Sequence, residues 1–161
     1  MEIIDDVLSS EDLQRINNNI FSDQFPWFYN DAVTYKKDKF GNDPNYYFTH
    51  LFYNKYISSD WLSLIGPIET VINPNVLIRV KANMYPSTTK LIHHKNHTDY
   101  KFKHKGAIFY VNTNDGLTVL EDGTEIESIK NRLLLFDSSL THHSTSCTNS
   151  KCRVNININY V

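Results

Sequence analysis

The chain has 161 residues, a formal net charge of −2, 21% charged and 40% apolar residues. That length suits a single domain over 1–161 with a real core, and the ordinary composition excludes a disordered chain. The near-neutral charge gives no strong nucleic-acid signature, no run of about 18 apolar residues could cross a membrane, and the acidic start Met1–Asp6 is unlike a signal peptide, so the expected location is cytoplasmic.

The first predicted element is a helix. Ser9 or Ser10 can cap it, Glu11 and Asp12 sit in its first turn, and Leu13, Ile16 and Ile20 recur at helical spacing. An aromatic stretch, Phe25-Pro-Trp-Phe-Tyr29, follows, with Trp27 and later Trp61 expected in the core. A polar stretch with Gly41 and Pro44 comes next. Residues 47–53 (Tyr47, Phe48, Leu51, Phe52) are apolar enough for burial, but their period is ambiguous. A second helix is predicted from about Ser59 to Ile72, with Gly66-Pro67 as a kink or restart.

After Pro74 the period becomes two. Val76, Ile78, Val80, Ala82 and Met84 alternate with Leu77, Arg79, Lys81, Asn83 and Tyr85, and Arg79, Lys81 and Asn83 share the Tyr85 face. Further strands are predicted over 105–112, 117–121, 124–129, 132–137 and 152–160. Asn114-Asp-Gly116 and Asp122-Gly123 read as hairpin turns by residue type. In the last strand Val154, Ile156, Ile158 and Tyr160 take one face, and Arg153, Asn155, Asn157 and Asn159 the other. The expected architecture is a helical support region over 1–74 and an antiparallel β core over 75–161, closed as a sandwich or jelly roll.

Six of the seven histidines lie between positions 93 and 143. On a strand, His97 and Asp99 would point the same way, and His142 or His143 could add a third ligand. Two imidazoles and a carboxylate on one face leave coordination positions open, as in non-haem Fe(II) oxygenases. The motif His97-x-Asp99 is weak alone. It gains weight from a histidine 43 residues after Asp99 and an arginine eleven after that, because Arg153 opens a strand on its polar face and can clamp a carboxylate through two parallel hydrogen bonds.

The chain resembles the 2-oxoglutarate/Fe(II)-dependent oxygenases, in particular small phage-encoded members related to prolyl hydroxylases. The resemblance is carried by Phe25-Pro-Trp-Phe-Tyr29, Phe48–Tyr53, Arg79–Tyr85, His97-Thr-Asp99, Ala107–Asn114, Asn131–Asp137, His142 and Arg153–Tyr160. It implies a mainly β fold with N-terminal helices, a double-stranded β-helix of the jelly-roll, cupin-like kind. It implies Fe(II) on His97, Asp99 and His142, and 2-oxoglutarate with its distal carboxylate on Arg153, near Tyr110 and Tyr85. It implies O₂ as co-reactant, with ascorbate as a supporting reductant. The reaction would be hydroxylation coupled to decarboxylation of 2-oxoglutarate to succinate and CO₂, in the host cytoplasm if the gene is a phage's. Asn155, two after Arg153, should also face the cavity.

Several residues have plainer readings. His93 and His94 read as rim residues, and the basic flank Lys95, Lys101, Lys103, His104 and Lys105 as a solvated loop. Cys147 and Cys152 read as reduced and structural. The rival to an oxygenase is a noncatalytic, metal-stabilised jelly-roll binding or structural protein of a phage. A zinc hydrolase is weaker, since no glutamate base stands in the histidine cluster. The substrate class (protein residue, nucleobase or small molecule) and the oligomeric state are open at this level.

Overall fold

The computed structural model describes residues 1–33 and 46–161; Gly41 and Pro44 lie outside them. The first strand, β1 (Glu2–Ile4), precedes helix α1 (Ser10–Ile20). The Ser9 hydroxyl accepts from the Asp12 amide at 3.1 Å and so caps the helix. Ile16 and Ile20 are fully buried. The segment of ambiguous period is a strand, β3 (Tyr47–Asn54), with β2 (Phe28–Asn30) and β4 (Ile57–Ser58) paired to it. Both of its faces are covered at several positions, which is why no clean alternation shows in the sequence. The second helical region is a 3₁₀ turn over Leu62–Ile65 that restarts as α2 (Gly66–Ile72). Pro67 lacks an amide proton and is tolerated in a first turn but not inside a helix. The segment 1–74 is therefore not helical support alone, since it also supplies four strands.

The remaining strands are β5 (Leu77–Pro86), β6 (Lys105–Tyr110), β7 (Asn114–Leu120), β8 (Glu125–Ser128), β9 (Arg132–Asp137), β10 (His142–Ser144) and β11 (Cys152–Tyr160). They form an antiparallel eight-stranded sheet in the order β1-β9-β6-β11-β5-β3-β2, with β4 on β3, and a three-stranded sheet in the order β10-β7-β8. This is a double-stranded β-helix, or jelly roll.

The expected alternation of β11 holds. Val154, Ile156 and Ile158 join one core with Ile16 and Ile20 of α1, Ile65 and Ile68, and Phe109 of β6. Burying each such side chain contributes roughly 1.5–3 kcal/mol. The opposite face of the large sheet looks toward the small sheet. Hydrogen bonds from Arg153 of β11 to Thr118 of β7 and Ser128 of β8 tie the two together. Trp27 and Trp61 pack against the helical core, as expected.

Asp122-Gly123 is the β7–β8 turn, with Gly123 at φ +84°. Asn114-Asp-Gly116 is not a turn but the start of β7. Its glycine is required by packing, because a Cβ there would run into Arg153 Cδ and meet the Ser146 carbonyl oxygen at 2.7 Å. Among the described residues no helix is long and apolar enough to cross a membrane.

Candidate metal and cosubstrate site

His97 and His142, distant in the chain, face each other in an antiparallel bridge. Each backbone amide donates to the other's carbonyl at 2.9 Å. Residues so paired project side chains to the same face, and their rings lie 4.7 Å apart. Asp99 follows at a bend, so it reaches the histidines through the loop's curvature rather than by the i, i+2 geometry of a strand. The ligating atoms of His97, Asp99 and His142 lie within 4.8 Å of one another. His143, one step along β10, points the other way, with its ring on His93 at 3.0 Å and on Asn96 at 2.6 Å.

The surroundings prepare these groups for a cation. His142 Nδ1 is 3.0 Å from the Leu140 carbonyl, which requires the proton on Nδ1 and leaves the Nε2 lone pair free. That Nε2 is buried, has no hydrogen-bond partner among the described residues, and lies 4.0 Å from Asp99 Oδ2. Asp99 Oδ1 accepts from Arg79 at 2.7 Å. Its Oδ2 accepts from Asn159 at 2.8 Å and Ser138 at 2.9 Å. Burial works to raise this carboxyl, but the Arg79 charge and the Asn159 bond outweigh it and hold Asp99 well below the usual carboxylate range. His97 is pushed down by burial and then by His142, so it is ready as a neutral ligand. Two imidazoles and an ionised carboxylate, with the His142 Nε2 buried and orphaned among the described residues, fit a hard or borderline divalent cation such as Fe(II).

Arg153 is fully buried. It donates to the Ser128 hydroxyl at 2.8 Å, the Thr145 carbonyl at 3.1 Å and the Thr118 hydroxyl at 3.0 Å, all neutral acceptors. Its guanidinium lies 5.6 Å from the Tyr85 ring and 5.9 Å from that of Tyr110. No carboxylate pairs with it among the described residues. A buried cation without an anion costs several kcal/mol, so the environment favours an anionic ligand. Tyr110 Oη donates to Thr118 at 2.9 Å, and burial raises the pKa of both tyrosines.

Tyr85, Asn83, Lys81, Asn155 and Asn157 line one cavity with His97, Asp99 and His142. Cross-strand pairing of β5 with β11 places Tyr85 opposite Arg153, Asn83 opposite Asn155, Lys81 opposite Asn157 and Arg79 opposite Asn159. The middle rows, Asn83–Asn155 and Lys81–Asn157, face the cavity, with the Tyr85–Arg153 and Arg79–Asn159 rows flanking them on either side. Asn155 faces it as expected and accepts from Asn83 at 3.0 Å.

Among solved structures the chain is similar to a prolyl hydroxylase from Trichoplax adhaerens in complex with a hypoxia-inducible-factor oxygen degradation domain peptide (TM-score 0.66, 13% identity, 99% of this chain and 82% of that one). It is equally similar to an oxidoreductase of the 2OG-Fe(II) oxygenase family from Burkholderia pseudomallei (0.66, 9%, 98% and 83%). A viral collagen prolyl hydroxylase from Paramecium bursaria Chlorella virus-1, as its 2OG complex, also matches (0.55, 16%, 99% and 95%). The fold is that of the 2OG-Fe(II) oxygenases. No protein-family model and no curated protein matches the chain.

Within this oxygenase fold, some residues differ from their sequence reading. His104 is buried rather than part of a solvated flank, with its ring against Tyr100 and Phe102, whereas Lys95, Lys101, Lys103 and Lys105 are exposed. His93 is exposed, but His94 is buried, stacked on Tyr85 at 5.3 Å and bonded to Ser144 at 2.8 Å. Cys147 and Cys152 are both free thiols. Ser128, Ser138 and Thr118, which bind Arg153 or Asp99, carried no signal, because small hydroxyl residues on strands are common everywhere. Lys81 is drawn down to about 8 by burial and by Arg79, against the pull of Asp99. Tyr47 is pushed up to about 12 by burial and by Tyr85.

Proposed function

We propose that the protein is a 2-oxoglutarate- and Fe(II)-dependent dioxygenase that hydroxylates a C–H bond. The observation that carries this reading is Arg153, a fully buried guanidinium with only neutral partners, whose acceptor Thr118 lines the cavity that gathers His97, Asp99 and His142. A noncatalytic, metal-stabilised module would have no use for a buried cation prepared for an anion.

In this reading His97, Asp99 and His142 hold Fe(II), and Arg153 with Tyr110 and Thr118 takes the distal carboxylate of 2-oxoglutarate. Fe(II) with 2-oxoglutarate and O₂ supplies the oxidising chemistry, releasing succinate and CO₂. The chain's own work is positional. The Nδ1–H of His142 donates to Leu140 and fixes the imidazole's tautomer. Arg79, Ser138 and Asn159 keep Asp99 ionised and in one rotamer. The Arg153 fork, braced by Ser128, Thr145 and Thr118, sets the orientation of a dicarboxylate between the two ends.

The test is turnover. Purified protein with Fe(II), 2-oxoglutarate and ascorbate should form succinate slowly even without substrate, and His142→Ala should not. Absence of succinate, together with no binding of Fe(II) or Mn(II), would overturn the proposal.

A further inference from the structure

Among the described residues that line the cavity, one cation is left unused by the proposed dioxygenase chemistry. Arg79 is paired with Asp99, and Arg153 is enclosed among Ser128, Thr145 and Thr118. Lys81 lines the cavity beside His97, Asp99 and Asn157; it feels the Asp99 charge but makes no direct ion pair among the described residues. Its ammonium lies over the Tyr47 ring, 5.8 Å from the ring centre. Such a cation–π contact leaves the charge of this half-buried side chain unneutralised.

Register separates Lys81 from the Arg153 end. Tyr85 is opposite Arg153 and Lys81 is opposite Asn157, four residues along β5, a distance of about 13 Å. The two basic residues thus start from backbone positions separated by the Asn83–Asn155 row. At the Lys81 end the polar groups are also short of partners, because Asn157 Oδ1 and Asn83 Oδ1 are buried without donors among the described residues. The neighbour on the other side of β5 is apolar, Leu51 of β3. This wall therefore offers one positive charge, two spare acceptors and an apolar flank, next to the atoms gathered for the metal.

We propose that Lys81 receives an anionic group, a carboxylate or a phosphate, on the molecule that is oxidised at the His97–Asp99–His142 centre. The inference rests on the dioxygenase reading and narrows it to substrates bearing a negative charge close to the oxidised carbon. Lys81 is thus a specificity-determining residue, and Asn157 and Asn83 accept hydrogen bonds from the same molecule.

The test uses the full chain loaded with Mn(II) and 2-oxoglutarate without oxygen. Paramagnetic relaxation of probe protons by the metal is followed by NMR for N-acetylglycine, methyl phosphate and the neutral N-acetylglycinamide. Saturable relaxation of one or both anions, but not of the amide, is expected, and the two anion arms show whether carboxylate or phosphate is taken. Lys81→Met should weaken the bound anion by about tenfold or more, a loss of about 1.4 kcal/mol or more. Lys81→Arg should retain it. Unchanged Mn(II) and 2-oxoglutarate affinities in Lys81→Met would show that the fold and the first two ligands are intact.

Equal binding of amide and anion, or no effect of Lys81→Met, would overturn this proposal alone. Loss of 2-oxoglutarate affinity in Lys81→Met would place the lysine in cosubstrate binding and overturn it too. Failure of the parent chain to bind Mn(II) and 2-oxoglutarate would overturn the dioxygenase reading and this inference with it.

Discussion

His142 and His143 are adjacent and chemically identical, and their environments separate them. His142 is buried with a free Nε2 toward Asp99, whereas His143 is engaged with His93 and Asn96. His142→Ala should abolish Mn(II) binding in a calorimetric titration, and His143→Ala should leave it nearly unchanged. The reverse pattern would move the ligand by one position. Arg153→Gln keeps most of the side chain's volume but removes the charge. It should weaken 2-oxoglutarate by about 2–5 kcal/mol, the usual loss for one partner of a buried charge pair. Mn(II) affinity should change little, and an equal loss of both would indicate general collapse of the site instead.

At the scale of elements, β7 and β11 are made for each other. Gly116 leaves the space that the Arg153 side chain occupies, and Thr118, two residues on, provides one of its acceptors. The dipeptide Asp-Gly reads as a turn because glycine tolerates turn conformations, but here the glycine's lack of a Cβ is what matters. Gly116→Ala should destabilise the fold by about 1–3 kcal/mol, the range for overpacked interiors, and displace the guanidinium. A urea midpoint and a 2-oxoglutarate affinity equal to those of the parent would contradict this packing account. The bridge between His97 and His142 is an element in the same sense. Two amide–carbonyl bonds bring together two histidines that the chain keeps far apart.

For the whole molecule, buried neutral histidines set an acid limit. His94 is lowered to about 3, chiefly by burial and then by the Arg153 charge. His50, bonded to Pro26 and Ser59, is also lowered by burial. In the unfolded chain both return to the ordinary value of 6.5. Between that pH and the folded values, the unfolded state binds more protons. The stability these histidines contribute is therefore full above pH 6.5 and falls as the pH drops below it, for His94 by on the order of 1 kcal/mol per pH unit, with His50 adding to the decline in the same direction. Urea midpoints measured from neutral pH downward should show this decline, and His94→Gln should make it shallower. A midpoint that rises on acidification would refute the assignment.

The amino-acid sequence by itself determined the face of β11 that carries Arg153 and the asparagines, the capped first helix, and the residue types of the proposed metal triad and carboxylate clamp. These are local properties, because side chains alternate along a strand and a helix repeats every few residues. Only the tertiary structure decided which of His142 and His143 turns inward, that Asp99 reaches its partners around a bend, that Arg79 holds it there, that Gly116 is a packing position and that His104 is buried. Each of these depends on strand register and on contacts between residues far apart in the chain. Periodicity along one segment holds no information about which distant segment will lie beside it.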